Sequence, residues 1–502
     1  LEILPERLRM NFSKYQIRIF NEIENTANNV VVNAVAGSGK TTTIKEAVTR
    51  LPDDLDKAFI AFNNSIVDEL KLTIKSRNTT ITTMHSFCWR ALLRAKPGKK
   101  ELKKGKSAQI IQKLCIKAKI DKKKYGYYMF VVSKMVDVMR HNLMTEKEDL
   151  AELAMRYDLE LTPDMEDMAI ETLRLMDKNN RVFDFTDMIY RAHIDNIRLP
   201  KFDILFIDEA QDLSVLQQKI VSRILKRNGR MIAVGDPRQA IYGFAGADAN
   251  SYNNLKNVFP NTVELPLSVN YRCGKNIVAY AKKLNPQIEA YDGNEDGEVR
   301  NGFCKEIRSE DWVLCRNLKP LIILNLYLIT KGVKSYVKGV EIGQKLENYI
   351  KKLGASGVAT LGAAVEQDIA KEISKLKKKG VRNPFKTEKI DRMIQQRDII
   401  KVLSRNCLDT KSVITRIRDV FRAQENAVVL STIHKSKGLE NGTIFLLCPE
   451  LLPSKYATQE WQLEQEQNLF YVAITRAEDR FIIVEDYDKV EKIILKSIED
   501  EN

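Results

Sequence analysis

Short apolar runs with polar edges alternate with amphipathic stretches along much of the chain, and that alternation predicts an α/β protein. Asn29–Asn33 is a β-branched run, and a glycine turn and a helix-like segment, Thr41–Arg50, follow it. Ala58–Phe62, Ile204–Ile207, Met231–Val234 and Val263–Leu265 are further short apolar segments. Continuous apolar runs set between helices predict parallel strands buried on both faces. A second group of such runs begins near Leu265 and contains Trp312–Cys315, Val428–Leu430, Ile444–Leu447 and Phe481–Val484. Elsewhere the pattern changes. Residues 91–180 and 346–424 are helix-like, charged and nearly free of strand signals. The expected layout is a first α/β core (1–90 and 181–264) with a helical insert (91–180), then a second core (265–345 and 425–502) with a reduced insert (346–424). Neither an internal repeat nor a long low-complexity segment interrupts it.

Composition changes this picture in two ways. The 502 residues carry 81 Lys and Arg against 67 Asp and Glu, a formal net charge of +14. A basic balance of this size favours a polyanionic partner, either nucleic acid or an anionic surface, although solvated lysine faces produce the same total. The lysine runs Lys99–Lys106, Lys122–Lys124 and Lys375–Lys379 fall in the inserts and have both readings, a solvated helix face or a nucleic-acid track. The seven cysteines are dispersed without a C-x-x-C pair and the four histidines are far apart in sequence, which argues against a zinc module and for a reducing compartment. No apolar run reaches membrane-spanning length. Leu1 to Arg9 lacks the apolar stretch of a signal peptide, and Met10 is a candidate native start. A prokaryotic or phage-infected cytoplasm is the expected compartment, with a nucleus as the alternative.

Two segments carry recognisable chemistry. Ala34-Val-Ala-Gly-Ser-Gly-Lys-Thr41 lies between a strand and a helix, the context of a phosphate-binding loop, with alanine where the common pattern begins with glycine. Gly37 and Gly39 allow backbone amides to approach phosphate closely, and the following helix N-terminus adds free N–H groups and a favourable dipole. Ala36 to Thr42 form the expected cradle: Ala36, Gly37, Ser38, Gly39, Lys40, Thr41 and Thr42. Lys40 would neutralise the β- and γ-phosphates, and the Thr41 hydroxyl would hold Mg²⁺. Phe202–Asp212, FDILFIDEAQD, is an apolar strand delivering acids to its C-terminal end, where ligands bind in open α/β sheets. Asp208 is the second expected Mg²⁺ ligand, and Glu209 would orient or deprotonate the attacking water.

With these segments stand others in a fixed order: Gln16 in FSKYQIRIF, Ala61-Phe-Asn63, Thr83-Met-His-Ser-Phe-Cys88, GDPRQAIYGFAGAD at Gly235–Asp248, Asn270-Tyr-Arg272, TIHKSKGLE at Thr432–Glu440 and LFYVAITRA at Leu469–Ala477. Taken singly, each has a plainer reading as a core turn or a capped helix. Nine motifs in order resemble the UvrD/Rep/PcrA branch of superfamily 1 helicases, over a span from Gln16 to Ala477. The resemblance implies two RecA-like parallel-sheet cores, each with a mainly helical insertion, that close on ATP and Mg²⁺. It implies an adenine site of Gln16 and Tyr271, with Glu440 on the ribose or orienting the nucleotide. Arg272 and Arg476 would act as arginine fingers on the γ-phosphate, and Gln239 would sense it. For DNA it implies Phe62, Tyr242 and Phe244 as stacking platforms, and Asn63, Thr83, His85, Thr432 and His434 as further contacts. Either histidine reads equally as a satisfied core or turn residue.

The function expected from the resemblance is ATP-dependent translocation 3′ to 5′ on single-stranded or forked DNA, with duplex unwinding. A protein-displacing translocase, or a motor working with a separate nuclease, is the alternative; the chain ends about one strand and one helix after Ala477, without room for a fused nuclease. Single-strand-binding or replication and repair proteins are further candidate partners. A nucleotide-gated DNA-binding scaffold is the non-enzymatic reading, and it sits poorly with an intact set of Lys40, Thr41, Asp208, Glu209, Arg272 and Arg476. Ala245 departs from the W-R-G-A found in relatives, which removes an arginine from the coupling motif.

Overall fold

The computed structural model describes residues 12–74, 78–157, 159–243, 246–248, 251–378, 385 and 387–499. Phe244, Ala245, Lys379 and Met10 lie outside these residues. The chain forms two units that divide between Val269 and Asn270.

In the first unit six strands make one sheet: β1 (Asn29–Ala34), β2 (Lys57–Ala61), β3 (Thr79–Thr83), β4 (Phe202–Ile207), β5 (Leu225–Gly235) and β6 (Thr262–Leu267), in the order β3-β2-β4-β5-β1-β6. Every pairing is parallel. The apolar runs explain this, because alternate side chains of one strand enter two different layers. Val30, Val32 and Ala34 meet the helices α1 (Lys14–Asn25), α2 (Lys40–Thr49) and α3 (Asn64–Thr73) through Ile19, Phe20, Ile44, Val48 and Leu70. Val31, with Ala58, Ile60, Leu205 and Ile207, faces the opposite layer. That layer contains α4 (Met84–Ala95), an insert of α5 (Lys106–Lys117), α6 (Tyr125–Asn142), α7 (Asp149–Arg156) and α8 (Pro163–Lys178), then α9 (Asp187–Ile194), α10 (Val215–Arg223) and α11 (Ser251–Val258). Each Val, Leu, Ile, Phe or Met side chain fully buried in these layers contributes roughly 1.5–3 kcal/mol.

The insert is helical as the sequence pattern predicts, with one short parallel pairing, Glu101–Leu102 against Val182–Phe183, across its base. One part of the lysine-run reading is corrected here. Lys99, Lys103 and Lys104 are exposed, but Lys106 is buried. Its Nζ donates to Asp187 Oδ2 at 2.6 Å and to the Met176 carbonyl at 3.1 Å. The buried Arg140 of α6 donates to Asp187 Oδ1 at 3.0 Å and to both oxygens of Asp184. This ionic cluster joins α5, α6 and α8 of the insert to α9.

The second unit repeats the plan. Strands β7 (Glu298–Gly302), β8 (Trp312–Cys315), β9 (Ser335–Val337), β10 (Val428–Thr432), β11 (Asn441–Leu447) and β12 (Ala477–Val484) pair in the order β7-β12-β11-β8-β10-β9, again parallel throughout. Its helices are α12 (Lys275–Ala281), α13 (Leu318–Thr330), α14 (Val340–Leu353), α15 (Val358–Lys378), α16 (Glu388–Leu403), α17 (Thr410–Phe421), α18 (Ile433–Ser436), α19 (Glu460–Ile474) and α20 (Tyr487–Glu499). The reduced insert packs into the sheet's own core: Leu361, Val365, Ile399 and Val413 share one apolar cluster with Val313, Leu430 and Leu447. Among the described residues no helix is long and apolar enough to cross a membrane.

Candidate active site

A parallel sheet delivers every strand's C-terminal end to one edge, so residues that follow different strands converge there. In the first unit the segments after β1, β2, β3, β4 and β5 begin at Val35, Phe62, Met84, Asp208 and Asp236, and they hold the sequence motifs.

After β1, the chain turns through Gly37 and Gly39, whose φ angles of +64° and +73° are left-handed and suit glycine. Gly39 is the N-cap of α2, and Lys40, Thr41 and Thr42 form its first turn. Ala36 and Ser38 are buried, and Ser38 Oγ donates to the Val35 carbonyl at 2.8 Å, which fixes the loop from inside. Gln16 is buried beside this loop. It forms a capping box with Ser13 at the start of α1, and its Nε2 donates to Thr43 Oγ1 at 3.0 Å. Thr43 Oγ1 in turn donates to the Gly39 carbonyl at 2.9 Å. Gln16 therefore steadies the phosphate loop from α1, which is a structural task besides any reading of a base.

After β4, Asp208 is buried and its Oδ1 accepts the Glu209 N–H at 2.9 Å. Glu209 is left-handed at φ +51°, a conformation that costs an ordinary residue about 1–3 kcal/mol and recurs at functional turns. This turn brings Glu209 Oε1 within 3.9 Å of Lys40 Nζ. After β5, the buried Asp236 accepts from Gln239 Nε2 at 2.6 Å and from the Arg238 N–H at 3.0 Å. Burial pushes the Asp236 carboxyl up, against the opposing pull of the Lys40 ammonium and the Gln239 amide. Lys40, Glu209, Asp236 and Gln239 thus meet around one point. Gln211 links them: its Nε2 donates to Glu209 Oε2 and its Oε1 accepts the Asp236 N–H at 3.0 Å. Sequence reasoning passed over Gln211 and Asp236, although both stand inside the quoted motifs. Mg²⁺ fits the donors on offer. The Thr41 hydroxyl and the Asp208 carboxylate are hard oxygens, and Mg²⁺ takes one or two protein oxygens together with phosphate and water.

The same edge carries Phe62, Asn63, Thr83, His85 and Tyr242, which are among the residues expected to face DNA. Phe62, 48% exposed, stacks on Tyr242 with ring centroids 6.0 Å apart and planes 15° from parallel. Asn63 Oδ1 caps α3 on the Ile66 N–H at 2.9 Å, and Thr83 caps α4 on Ser86, so both have local duties as well. His85 stacks on Phe185 at 3.9 Å. Phe185, 64% exposed, is an aromatic ring at this edge that the sequence reading missed. Burial, aided by His141, lowers His85 to about 4, so its ring is neutral near pH 7.

In the second unit, Asn270 Oδ1 accepts the N–H groups of Arg272 and Cys273 at 3.1 and 2.7 Å, which turns the chain after β6. Tyr271 lies tilted against Tyr291 with centroids 5.0 Å apart. Arg272 is paired with Glu440 and donates to the Thr475 carbonyl at 3.2 Å. Arg476 is buried, with its guanidinium donating to the carbonyls of Val472 and Leu439 at 3.1 and 2.9 Å. Arg272, Glu440 and Arg476 therefore share one cluster, in which Arg272 is the partly exposed cation and Arg476 holds the turn behind it. Thr432 is the N-cap residue of α18. His434, on α18, is lowered to about 4 by burial and by the nearby Arg316, so it too is neutral near pH 7.

Comparison with known proteins gives the family of the chain. Residues 18–260 match the UvrD/REP helicase N-terminal domain, and residues 160–486 match the UvrD-like helicase C-terminal domain. The F-box DNA helicase protein 1 of Schizosaccharomyces pombe is 23% identical over 489 residues, covering 90% of this chain and 55% of its own length. The ATP-dependent DNA helicase PcrA of Staphylococcus aureus is 20% identical over 604 residues, covering 91% of this chain and 81% of its own. This chain spans little more than half of the first of these relatives. A solved complex of arterivirus nonstructural protein 10, a helicase, with DNA aligns over 94% of this chain and 65% of its own, at 11% identity and a TM-score of 0.36, a likeness too loose to carry an argument.

Proposed function

This chain belongs to the UvrD-like helicase family, and from that membership we propose that it is an ATP-driven motor that moves 3′ to 5′ along single-stranded DNA and unwinds duplex ahead of it. One observation carries the reading. The segment after β5 starts at Asp236, inside the cluster that holds Lys40 and Glu209, and runs on to Tyr242, which stacks on the exposed Phe62. A single short stretch of backbone thus touches both the hydrolytic residues and an aromatic platform, which is the physical requirement for coupling hydrolysis to movement along a strand.

The chemistry proposed is hydrolysis of ATP to ADP and phosphate. Lys40 and the backbone of residues 36–41 bind the phosphates, while Thr41 and Asp208 hold Mg²⁺, which when bound neutralises charge on the phosphate oxygens. Glu209 takes the proton of the attacking water. Gln239 contacts the γ-phosphate and passes its presence to the segment bearing Tyr242. Tyr271 and Gln16 bind adenine, Glu440 binds the ribose or orients the nucleotide, and Arg272 and Arg476 counter charge on the γ-phosphate. Such arginines contribute roughly 10³–10⁵ in rate in other phosphoryl-transfer enzymes. Bases stack on Phe62 and Tyr242, a contact that tolerates every sequence and so suits a translocating motor. Asn63, Thr83, His85, Thr432 and His434 contact the strand as uncharged donors and acceptors.

Phe62→Ala should weaken equilibrium binding of single-stranded DNA by about 1–3 kcal/mol, equally for mixed and homopolymeric sequences. Fluorescence anisotropy reads this, and an affinity unchanged by the substitution would remove Phe62 from the strand path. Direction is tested with partial duplexes that carry either a 3′ or a 5′ single-stranded tail. ATP-dependent strand separation confined to the 3′-tailed substrate is expected. Separation of the 5′-tailed one would reverse the polarity, and protein displacement without strand separation would favour a stripping translocase.

A further inference from the structure

Gln211 has contacts that binding of ATP or of DNA does not explain. It is buried in the turn after β4, and both ends of its amide are engaged. Nε2 donates to Glu209 Oε2, and Oε1 accepts the Asp236 N–H at 3.0 Å. The approach is close: a Cβ at Gly235 would stand 2.5 Å from Gln211 Oε1, so a side chain there would push the Gln211 amide out of its place. The Glu209 carboxylate is thereby gripped on both sides, with Lys40 at Oε1 and Gln211 at Oε2. Asp236, the other partner, opens the segment that holds Gln239 and reaches Tyr242.

We propose that Gln211 is a positioning residue for hydrolysis, which fixes the Glu209 carboxylate toward the attacking water and ties that orientation to the Asp236–Tyr242 segment. The inference rests on Glu209 being the general base. An unrestrained glutamate has three side-chain torsions to settle, and a displacement of about 1 Å at a reacting group can cost roughly 100-fold in rate. Gln211 removes that freedom with one hydrogen bond. Its second bond goes to the first N–H of the segment on which Tyr242 lies, so a shift of that segment is transmitted to the base through a single side chain.

Two substitutions separate this role from simple packing. Gln211→Glu keeps the volume and an acceptor for the Asp236 N–H but removes the donor to Glu209. Gln211→Met keeps the volume and removes both bonds without adding charge. In both, kcat for ATP hydrolysis with saturating single-stranded DNA should fall roughly 10- to 100-fold. In Gln211→Met, which adds no charge beside Lys40, KM for ATP and the affinity for a fluorescent ADP analogue should stay within about twofold, because the phosphate cradle is untouched. Added to Glu209→Gln, neither substitution should lower the residual rate further, since the group being positioned is gone. A Gln211→Glu enzyme with wild-type kcat would overturn the proposal and leave Gln211 as a strut for Asp236. So would a loss appearing wholly in KM, or a full additional loss in the Glu209→Gln background. Wild-type turnover in Glu209→Gln alone would instead overturn the base assignment itself.

Discussion

Glu209→Gln should lower DNA-stimulated ATP turnover by roughly 10²- to 10⁴-fold, the range that a positioned general base contributes, while nucleotide still binds. The substitution is nearly isosteric, so the turn at φ +51° and the neighbouring hydrogen bonds can persist. What is lost is the ability to take a proton, together with the negative charge 3.9 Å from Lys40. Because that charge no longer competes for the Lys40 ammonium, affinity for the nucleotide phosphates should be equal to or tighter than wild type. Single-turnover kinetics with a fluorescent nucleotide separates the two effects. A variant that turns over normally would remove Glu209 from the chemistry, and one that fails to bind nucleotide would make it a structural support of the loop.

The second large effect lies away from the chemistry. Asp187→Ala should destabilise the first unit by about 3–5 kcal/mol, the usual cost of stranding a buried charge partner. Asp187 is fully buried and accepts from Lys106, from Arg140 and from the Asp184 N–H at 2.6, 3.0 and 2.9 Å. Removing it leaves two cations inside the protein at the base of the helical insert. Arg140 keeps Asp184 as a partner, whereas Lys106 keeps only the Met176 carbonyl among its bonds described above, so α5 should loosen first. Hydrogen exchange would place the loss of protection in α5, α6 and α8, and chemical denaturation would give the magnitude. A loss under about 1 kcal/mol, the range of surface pairs, would show that the cluster is hydrated in solution.

The two cases differ in how far the sequence foretold them. The candidate active-site edge was legible because parallel strands are apolar runs and the residues directly after them are delivered to one place. The strands before Gly37, Asp208 and Asp236 could therefore be read with their cargo. The ionic cluster was not legible, because Lys106 and Asp187 are 81 positions apart and a lysine at the end of a lysine run looks solvated. Strands were missed for a related reason. Thr79–Thr83, Glu298–Gly302 and Ser335–Val337 are the polar or short members of their sheets, and all three lie at sheet edges, where one side needs no continuous apolar run. Gln211 and Phe185 escaped notice because their meaning is relational: one amide between two strand ends, one ring against His85.

Several family residues also prove to have local work. Gln16 caps α1 and steadies the phosphate loop, Asn63 and Thr83 cap helices, and Arg476 braces the turn behind Arg272. Substitutions at such motif positions should therefore be read with a stability measurement beside the activity.

The central claim, that hydrolysis at the Lys40–Glu209 junction is driven by a DNA strand, is tested most directly by steady-state ATP hydrolysis with and without single-stranded DNA. Turnover that rises steeply on adding the strand, and that loses this rise in Phe62→Ala at subsaturating DNA, is the expected result. Turnover indifferent to DNA at every concentration would contradict it, and would separate the hydrolytic cluster from the aromatic platform that the Asp236–Tyr242 segment appends to it.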